Sequence, residues 1–122
     1  MTDVSLKERL TMNTILVAPA AFDMVSAKVI ESAGFEAVYL SGFGQSASHL
    51  GLPDAGLMTL SEIVERVHNM ARAIHVPLLA DGDTGYGGVI NVRRTVQEFE
   101  WAGASAIQLE DQEIPKKCGH TE

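Results

Sequence analysis

Cysteine is almost absent from this sequence of 122 residues, in which Cys118 is the single example. One cysteine cannot form a disulfide within the chain, which is typical of a protein in a reducing compartment. The first ten residues, which include Asp3 and Glu8, fit neither a signal peptide nor an Arg-rich transit peptide. Apolar runs of the roughly 18 to 20 residues that cross a bilayer are also missing, because Asp23, Lys28 and Glu31 interrupt the richest early stretch. We therefore expect a cytoplasmic protein that does not cross a membrane.

Positive charge is scarce as well. The chain has 9 Lys and Arg residues against 16 Asp and Glu residues, which gives a formal net charge of -7 at pH 7. Such a surface repels nucleic acids and anionic lipids at long range, so we expect neither as a partner. A small anionic substrate is compatible with this charge where a metal ion supplies local positive charge. Since 46% of the residues are apolar, there is material for one core, and we expect a single domain over residues 1–122.

Four helices are predicted from capping residues and from the spacing of apolar residues. A Ser or Thr followed three residues later by Glu is the capping box that begins a helix, and a Gly after the last apolar position favours the left-handed cap that ends one. Two predicted helices begin at Ser5 and Thr59, the second of them running to about Ile74, and two span Met24 to Ala33, before Gly34, and Val89 to Ala102, before Gly103.

Four short apolar runs lie around these helices. They do not alternate cleanly with polar residues, which indicates strands that are buried on both faces, as in a parallel sheet. The predicted strands are Ile15 to Ala18, Ala37 to Leu40, Val76 to Ala80 and Ala106 to Leu109.

This order of strands and helices predicts an α/β fold with a parallel sheet. The segments Glu31–Leu40 and Glu100–Leu109 share Glu, Ala-Gly, Ala and an apolar strand at identical offsets, two βα units apart. Such repetition favours a (β/α)₈ barrel, of which this chain would supply about the first four βα units, since complete barrels have about 250 residues. A doubly wound sheet is the alternative, although Ala20-Ala-Phe-Asp23 follows the first predicted strand where that fold has a Gly-rich phosphate loop.

Acidic and small polar residues follow the predicted strands, at the rim where barrel enzymes place their active sites. Ser41 and Gly42 follow the second strand, Asp81 and Asp83 the third, and Glu110 the fourth. Converging carboxylates repel one another unless a hard cation lies among them, and Mg²⁺ prefers oxygen ligands. The pattern therefore predicts a Mg²⁺ site, which Mn²⁺ could also occupy.

The segment Asp81–Gly87 has two other interpretations. A calcium-binding loop is excluded, because Gly85 and Val92 stand where its fifth and twelfth positions need oxygen ligands. Asp81 and Asp83 could instead merely cap the helix that begins near Gly88. Their combination with Glu110 on the next strand favours metal binding.

The end of the chain combines cations with the cysteine. Lys116 and Lys117 directly precede Cys118, so they should lower the pKa of its thiol and could hold an anionic substrate. His120 could position the substrate or relay a proton. We expect Cys118 to lie in a polar, flexible loop and not in a core. A second long loop, Phe43–Gly56, carries Asp54 and is predicted to cover the barrel mouth.

Five short motifs together resemble the isocitrate lyase and phosphoenolpyruvate mutase superfamily, over nearly the whole chain. They are Tyr39-Leu-Ser-Gly42, Leu50-Gly-Leu-Pro-Asp54, Asp81-Gly-Asp-Thr-Gly-Tyr-Gly87, Leu109-Glu-Asp-Gln112 and Lys116-Lys-Cys-Gly-His120. The motif that ends at His120 is the most specific of the five.

The resemblance implies an α/β barrel that binds Mg²⁺ at its strand ends and acts on small carboxylates. It implies that Asp83 binds the metal directly and that Asp81 and Glu110 reach it directly or through water. Further implied roles are a substrate clamp, an acid near the substrate, a general acid and groups that hold negative charge. Ser41 and Gly42 match the clamp, with Tyr39 beside it, and Asp54 matches the acid near the substrate. Cys118 is suited to be the general acid, and Lys117 and His120 are suited to hold negative charge. Lys116 is also a predicted substrate contact, because of its charge.

The cysteine motif resembles the branch that cleaves carbon-carbon bonds in 2-hydroxy di- or tricarboxylates, such as methylisocitrate or dimethylmalate. A carboxyphosphonoenolpyruvate-type phosphonomutase and an oxaloacetate decarboxylase or hydrolase remain alternatives. A different class of answer is a non-catalytic half barrel that serves as an interaction subunit. We expect a homo-oligomer at full length.

We further expect that residues 1–122 alone do not form a stable monomer. The first and fourth strands would have open edges, and inward-facing side chains would lose the opposite wall of the barrel. The inward candidates are Val17, Val38, Leu79 and Ile107.

Overall fold

Four parallel strands form one sheet in the computed structural model, which describes residues 5–119. The helices are α1 (Leu6–Arg9), α2 (Met24–Ser32), α3 (Gly42–Gln45), α4 (Leu60–Ala73) and α5 (Val89–Ala102), and a π-helix, Ser46–Leu50, directly continues α3. The strands are β1 (Ala20–Ala21), β2 (Val38–Leu40), β3 (Leu78–Asp81) and β4 (Ala106–Gln108).

The strands lie side by side in chain order, β1-β2-β3-β4. In the register of the sheet, Tyr39 pairs with Ala20 on one side and with Leu79 on the other, and Leu79 pairs with Ala106. The order does not reverse, whereas reversal is the hallmark of a doubly wound sheet. All four carboxyl ends therefore lie at the same rim, as predicted.

The predicted helix boundaries are confirmed at their capping residues. The Thr59 hydroxyl accepts from the Glu62 N–H while the Glu62 carboxylate accepts from the Thr59 N–H, and Ser5 and Glu8 form the same box at α1. Gly103 ends α5 with φ 103°, in the left-handed region. Asp23 caps α2 by accepting from the Ser26 N–H at 2.7 Å.

The first predicted strand is wrong in position. Residues 15–18 lie outside the sheet, with Ile15 87% exposed, and β1 begins at Ala20. The register explains the difference, because continuing the Ala20–Tyr39 pairing backwards would set Ile15 opposite Gly34, in the turn after α2. Among residues 5–119, no neighbouring strand lies there to pair with this apolar run.

The predicted loop Phe43–Gly56 also needs correction, because its first half is helical. Ser41 caps α3, and the chain continues through the π-helix to Gly51, which has φ 66°. The short, Gly- and Ser-rich sequence conceals this helix because it lacks an apolar period.

The helix-covered face of the sheet carries the core. Strand side chains on this face pack against side chains of α4 and α5. Each of the following is at most 2% exposed: Val38, Leu40, Leu78 and Ala80 from the strands, and Ile63, Val67, Met70 and Phe99 from the two helices. Because strand side chains alternate, Tyr39 and Leu79 face the opposite, barrel-interior side, where they are only partly buried.

The assignment of inward-facing residues was therefore right for Leu79 and wrong for three others. Val38 lies on the helix-covered face, and so does Ile107, which pairs with Ala80. Val17 precedes β1 and is 56% exposed. Apolar runs buried on both faces do not reveal which alternate residue points inward.

Within the part of the chain that the structure describes, no helix combines the length and the apolar character needed to span a membrane.

Candidate active site

A buried lysine joins two acidic loops at the carboxyl ends of the strands. The Nζ of Lys116 lies 3.0 Å from Oδ1 of Asp54 and 3.0 Å from Oδ2 of Asp83. The three side chains are 3%, 7% and 13% exposed, in the order Lys116, Asp54 and Asp83. The loops after β2, β3 and β4 thus meet at one ammonium group.

Asp81 fastens the ends of β2 and β3 to each other. Its Oδ2 accepts from the N–H of Gly42 at 3.0 Å, and its Oδ1 accepts from the N–H of Asp83 at 3.0 Å. A Cβ atom on Gly42 would lie 2.8 Å from this Oδ2, closer than real Cβ contacts, so the approach requires glycine. Asp81 therefore shapes the site, in addition to any direct role toward a metal.

Asp83 lies in a strained turn that reaches the next strand. Its φ of 52° is in the left-handed region, and its Oδ1 accepts from the Thr84 N–H at 2.6 Å. The carbonyl of Asp83 accepts from the N–H of Glu110 at 2.8 Å, which places the two acids on adjoining backbone segments. Backbone strain of this kind is concentrated at functional sites.

The helix-capping interpretation of Asp81 and Asp83 is wrong. The cap of α5 is Gly88, whose N–H donates to Oδ1 of Asn91 at 3.1 Å. Neither aspartate is needed there, so both are available to the site.

Burial and crowding shift the ionisable groups. Burial raises the pKa of Glu110, the ammonium of Lys116 opposes this, and the charges of Asp81 and Asp83 raise the pKa further. Burial also raises the pKa of the Tyr39 phenol, as do the charge of Asp81 and a hydrogen bond to it.

Lys116 shows the opposite balance. Burial is the largest effect and lowers its pKa, but hydrogen bonds to Asp54 and Asp83, together with their charges, outweigh it and raise the pKa overall. Lys116 therefore stays protonated and neutralises part of the acidic cluster.

Negative charge still exceeds positive charge in the cluster as a whole. Two carboxylates, those of Asp54 and Asp83, bind the Lys116 ammonium. Glu110 lies close enough to interact electrostatically with both of them, with Asp81 and with Lys116, so four acidic groups share one ammonium. Among residues 5–119, no three His, Cys, Asp or Glu side chains converge closely enough to form a ready-made metal cage. Mg²⁺ does not need such a cage, because it keeps several waters and binds through one or two carboxylates. The all-oxygen donor set and the excess negative charge fit that ion.

The predicted substrate clamp lies beside these acids. Ser41 caps α3 by accepting from the Gly44 N–H at 3.2 Å, and the Gly42 N–H is bound to Asp81. The side chain of Tyr39, on β2, also forms a hydrogen bond with the Asp81 carboxylate. The structure thus brings together Tyr39, Ser41 and Gly42 with the acidic residues.

The cysteine loop is placed differently from the expectation. Cys118 lies in a segment without regular secondary structure, as predicted, but its side chain is buried, at 9% exposure. Lys117 is exposed, and its N–H donates to Oε1 of Gln112, whose Nε2 in turn donates to Oε2 of Glu110. His120 lies outside the described residues. Of the two lysines, only Lys116 joins the acidic cluster.

Two polar residues near the site escaped the sequence analysis. Gln45 is completely buried one helical turn after Ser41, and Nε of Arg66, on α4, donates a hydrogen bond to it. In the sequence, Gln45 differs from its neighbours only as a polar residue within a run of mostly small residues. That feature indicates a buried position only when α3 is known to be a helix.

Comparisons with known proteins place these motifs in context. The sequence profile of the phosphoenolpyruvate phosphomutase family matches residues 6–121. The chain is 54% identical to 2,3-dimethylmalate lyase of Eubacterium barkeri, over 98% of this chain and 41% of that protein. The chain thus spans about two fifths of the length of that relative.

Solved structures agree. The crystal structure of phosphoenolpyruvate phosphomutase from Streptomyces platensis subsp. rosaceus matches with a TM-score of 0.90 and 36% identity, over 96% of this chain and 40% of that one. A phosphonopyruvate hydrolase in complex with oxalate and Mg²⁺ matches with a TM-score of 0.77 and 43% identity, over 82% of this chain and 35% of that one. With four sequential parallel strands, these matches confirm the predicted fold, the first part of a (β/α)₈ barrel.

Proposed function

Since the chain belongs to the phosphoenolpyruvate phosphomutase family, in line with the predicted resemblance, we propose that the full-length protein is a Mg²⁺-dependent carbon-carbon lyase. Its substrate is a small 2-hydroxy di- or tricarboxylate, which it cleaves to an α-keto acid or glyoxylate and a second carboxylate. The observation that carries this proposal is the acidic cluster around Lys116, next to Ser41 and Gly42. Residues 1–122 would form the N-terminal half of one barrel domain.

The charge of the site supports a metal-dependent reaction. An anionic substrate is repelled by four carboxylates unless a cation lies between them. Asp83 would hold Mg²⁺ directly, and Asp81 and Glu110 directly or through water. When bound, Mg²⁺ would supply a Lewis acid for the 2-oxygen and the carboxylate of the keto-acid half. The Mg²⁺ and oxalate of the matching phosphonopyruvate hydrolase support this chemistry for the family.

The residues of the chain would handle the other half of the substrate. The 2-hydroxyl of the substrate loses its proton to solvent and becomes the carbonyl of the keto acid as the carbon-carbon bond breaks. The electron pair of that bond stays on the carbon next to the leaving carboxylate, the thiol of Cys118 gives that carbon a proton, and solvent then reprotonates the thiolate. Lys116 would leave Asp83 and pair with the substrate, and Lys117 and His120 would hold the remaining negative charge. Asp54 would stay beside the substrate as the acid of the second loop.

A second candidate is a phosphonomutase or a hydrolase of the same family. The TM-score of 0.90 to a phosphoenolpyruvate phosphomutase favours it. The 54% identity to a dimethylmalate lyase and the presence of Cys118 favour the lyase. We also propose that the full-length protein is a cytoplasmic homo-oligomer.

The test is an assay of the full-length protein with 2,3-dimethylmalate, 2-methylisocitrate, oxaloacetate and phosphonopyruvate. We expect cleavage of one of the first two, with release of an α-keto acid or glyoxylate that stops on addition of excess chelator and resumes with Mg²⁺. Turnover of phosphonopyruvate alone would favour the second candidate. Full lyase activity in excess chelator would contradict the metal-dependent reaction.

A further inference from the structure

Gln45, at the end of α3, is a fully buried polar side chain that the proposed chemistry does not use. Its Oε1 accepts from Nε of Arg66 at 2.7 Å, and its Nε2 donates to the carbonyl of Phe22 at 3.1 Å. Both ends of the amide are therefore bonded. The hydrogen bond to the guanidinium is charge-assisted, which makes it one of the stronger kinds.

The carbonyl of Phe22 is the common acceptor of this network. In addition to Gln45, it accepts from Nη2 of Arg66 at 3.1 Å and from the hydroxyl of Ser48 at 2.8 Å. Phe22 directly follows β1, Ser48 lies in the π-helix and Arg66 lies in α4. Three separate elements are thus tied to the end of the first strand.

The helix that carries Gln45 needs such an anchor. α3 has four residues and the π-helix has five, and isolated helices of this length are unstable in water. The segment also packs tightly, since a Cβ atom on Gly44 would lie 2.8 Å from the Cβ of Phe22. Its position is therefore set by tertiary contacts and not by its own helical propensity.

The position of α3 determines the position of the clamp. The N–H of Gln45 donates to the carbonyl of Ser41 at 2.8 Å, one helical turn away. Gly42, the first residue of α3, donates its N–H to Asp81. A shift of Gln45 would be transmitted through this single turn to Ser41 and Gly42.

We infer that Gln45, with Arg66, is a positioning residue that fixes Ser41 and Gly42 beside Asp81 and so sets the geometry of the substrate clamp. The statement about the clamp rests on the proposed function; the statement about the position of Gly42 does not. Gln45 touches neither the acidic cluster nor a reacting group and acts only through α3.

The test is Gln45→Leu in the full-length protein, with Gln97→Leu on the exposed side of α5 as the matched control. The leucine leaves Nε of Arg66 without its acceptor and removes one donor from Phe22. Hydrogen exchange of the Gly42 amide should become about tenfold faster, because losing a buried hydrogen-bond partner shifts a local opening equilibrium by this order. The affinity for oxalate in the presence of Mg²⁺ should fall to a similar extent, and the control should change neither quantity.

A second variant, Gln45→Glu, keeps the size and polarity of the side chain, so the test does not depend on the leucine variant folding. It keeps an acceptor for Arg66 but sets a carboxylate oxygen against the carbonyl of Phe22. We therefore expect faster exchange of the Gly42 amide and weaker oxalate binding in this variant as well. Unchanged exchange at Gly42 in both variants overturns the inference, and so does faster exchange with unchanged oxalate affinity. Failure of the proposed function is recognised separately, as absence of oxalate binding and cleavage in the unsubstituted protein, and the exchange rate of Gly42 still decides whether Gln45 positions it.

Discussion

Nζ of Lys116 and Oδ2 of Asp83 lie 3.0 Å apart, and both side chains are largely buried. Lys116 was predicted as a substrate contact and Asp83 as a metal ligand, so the structure pairs the two groups that the proposed reaction must separate. The pair neutralises charge in the absence of substrate and joins the third strand end to the cysteine loop.

Lys116→Met should therefore destabilise the full-length protein in the absence of metal. Removing one partner of a buried ion pair leaves the other charge uncompensated, which costs on the order of 3 kcal/mol. Urea denaturation in chelator should show this loss in the free energy of unfolding. The matched substitution Lys117→Met removes an exposed lysine and should change stability by less than about 0.5 kcal/mol. Equal effects of the two substitutions would contradict the pairing.

Gly42→Ala should displace the end of β2 from Asp81. The added Cβ would meet Oδ2 of Asp81 at 2.8 Å and break the hydrogen bond to the residue 42 amide. We expect about tenfold weaker binding of oxalate and Mg²⁺ by calorimetry, as for the loss of one hydrogen bond to a charged group. Gly88→Ala is the control, since a Cβ there meets nothing within 4 Å. Unchanged affinity of Gly42→Ala for oxalate and Mg²⁺ would show that binding does not depend on the close approach of residue 42 to Asp81.

Cys118→Ser should lower lyase turnover by about 10²-fold or more while changing substrate affinity little, because a hydroxyl is a far weaker acid than a thiol. Steady-state kinetics of the full-length protein, with separate kcat and KM, would measure this. Unchanged kcat on the best substrate would remove Cys118 from the reaction.

Residues 1–122 by themselves should associate or fold only partly. The strands β1 and β4 have open edges, and the face with Tyr39 and Leu79 has no covering layer within residues 5–119. Large apolar side chains are also exposed on the helices; examples are Val25 (70%), Val29 (62%) and Trp101 (74%). Sedimentation should show polydisperse or oligomeric species, and a compact monomer with a cooperative melt would contradict this expectation.

The sequence predicted those parts of the fold that depend on local signals. Capping at Ser5 and Thr59 and the glycine that ends α5 were correct because each is a short-range arrangement of a few residues. The parallel sheet followed from apolar runs without alternation. The position of β1 could not be predicted, because it depends on the pairing of Ala20 with Tyr39 on the neighbouring strand. The apolar run from Ile15 to Ala18 contains no information about that pairing.

The candidate site shows the same division. The rim position of Asp81, Asp83 and Glu110 could be predicted from the sequence, because each lies at the end of a strand and parallel strands have their carboxyl ends at one edge of the sheet. The bond of Lys116 to Asp54 and the anchoring of Gln45 could not be predicted, since both join residues that are far apart in the chain and belong to segments without a regular period.

Binding of Mg²⁺ by the acidic cluster is the central claim, and calorimetric titration of the full-length protein with Mg²⁺ in the presence of oxalate tests it most directly. We expect saturable binding of one ion per chain, lost in Asp83→Asn, which keeps the oxygen that accepts from Thr84 but removes the charge. Glu113→Gln makes the same charge change at an exposed position and should bind as the unsubstituted protein does. Mg²⁺ binding that survives in Asp83→Asn, or is absent from the unsubstituted protein, would contradict the proposed site.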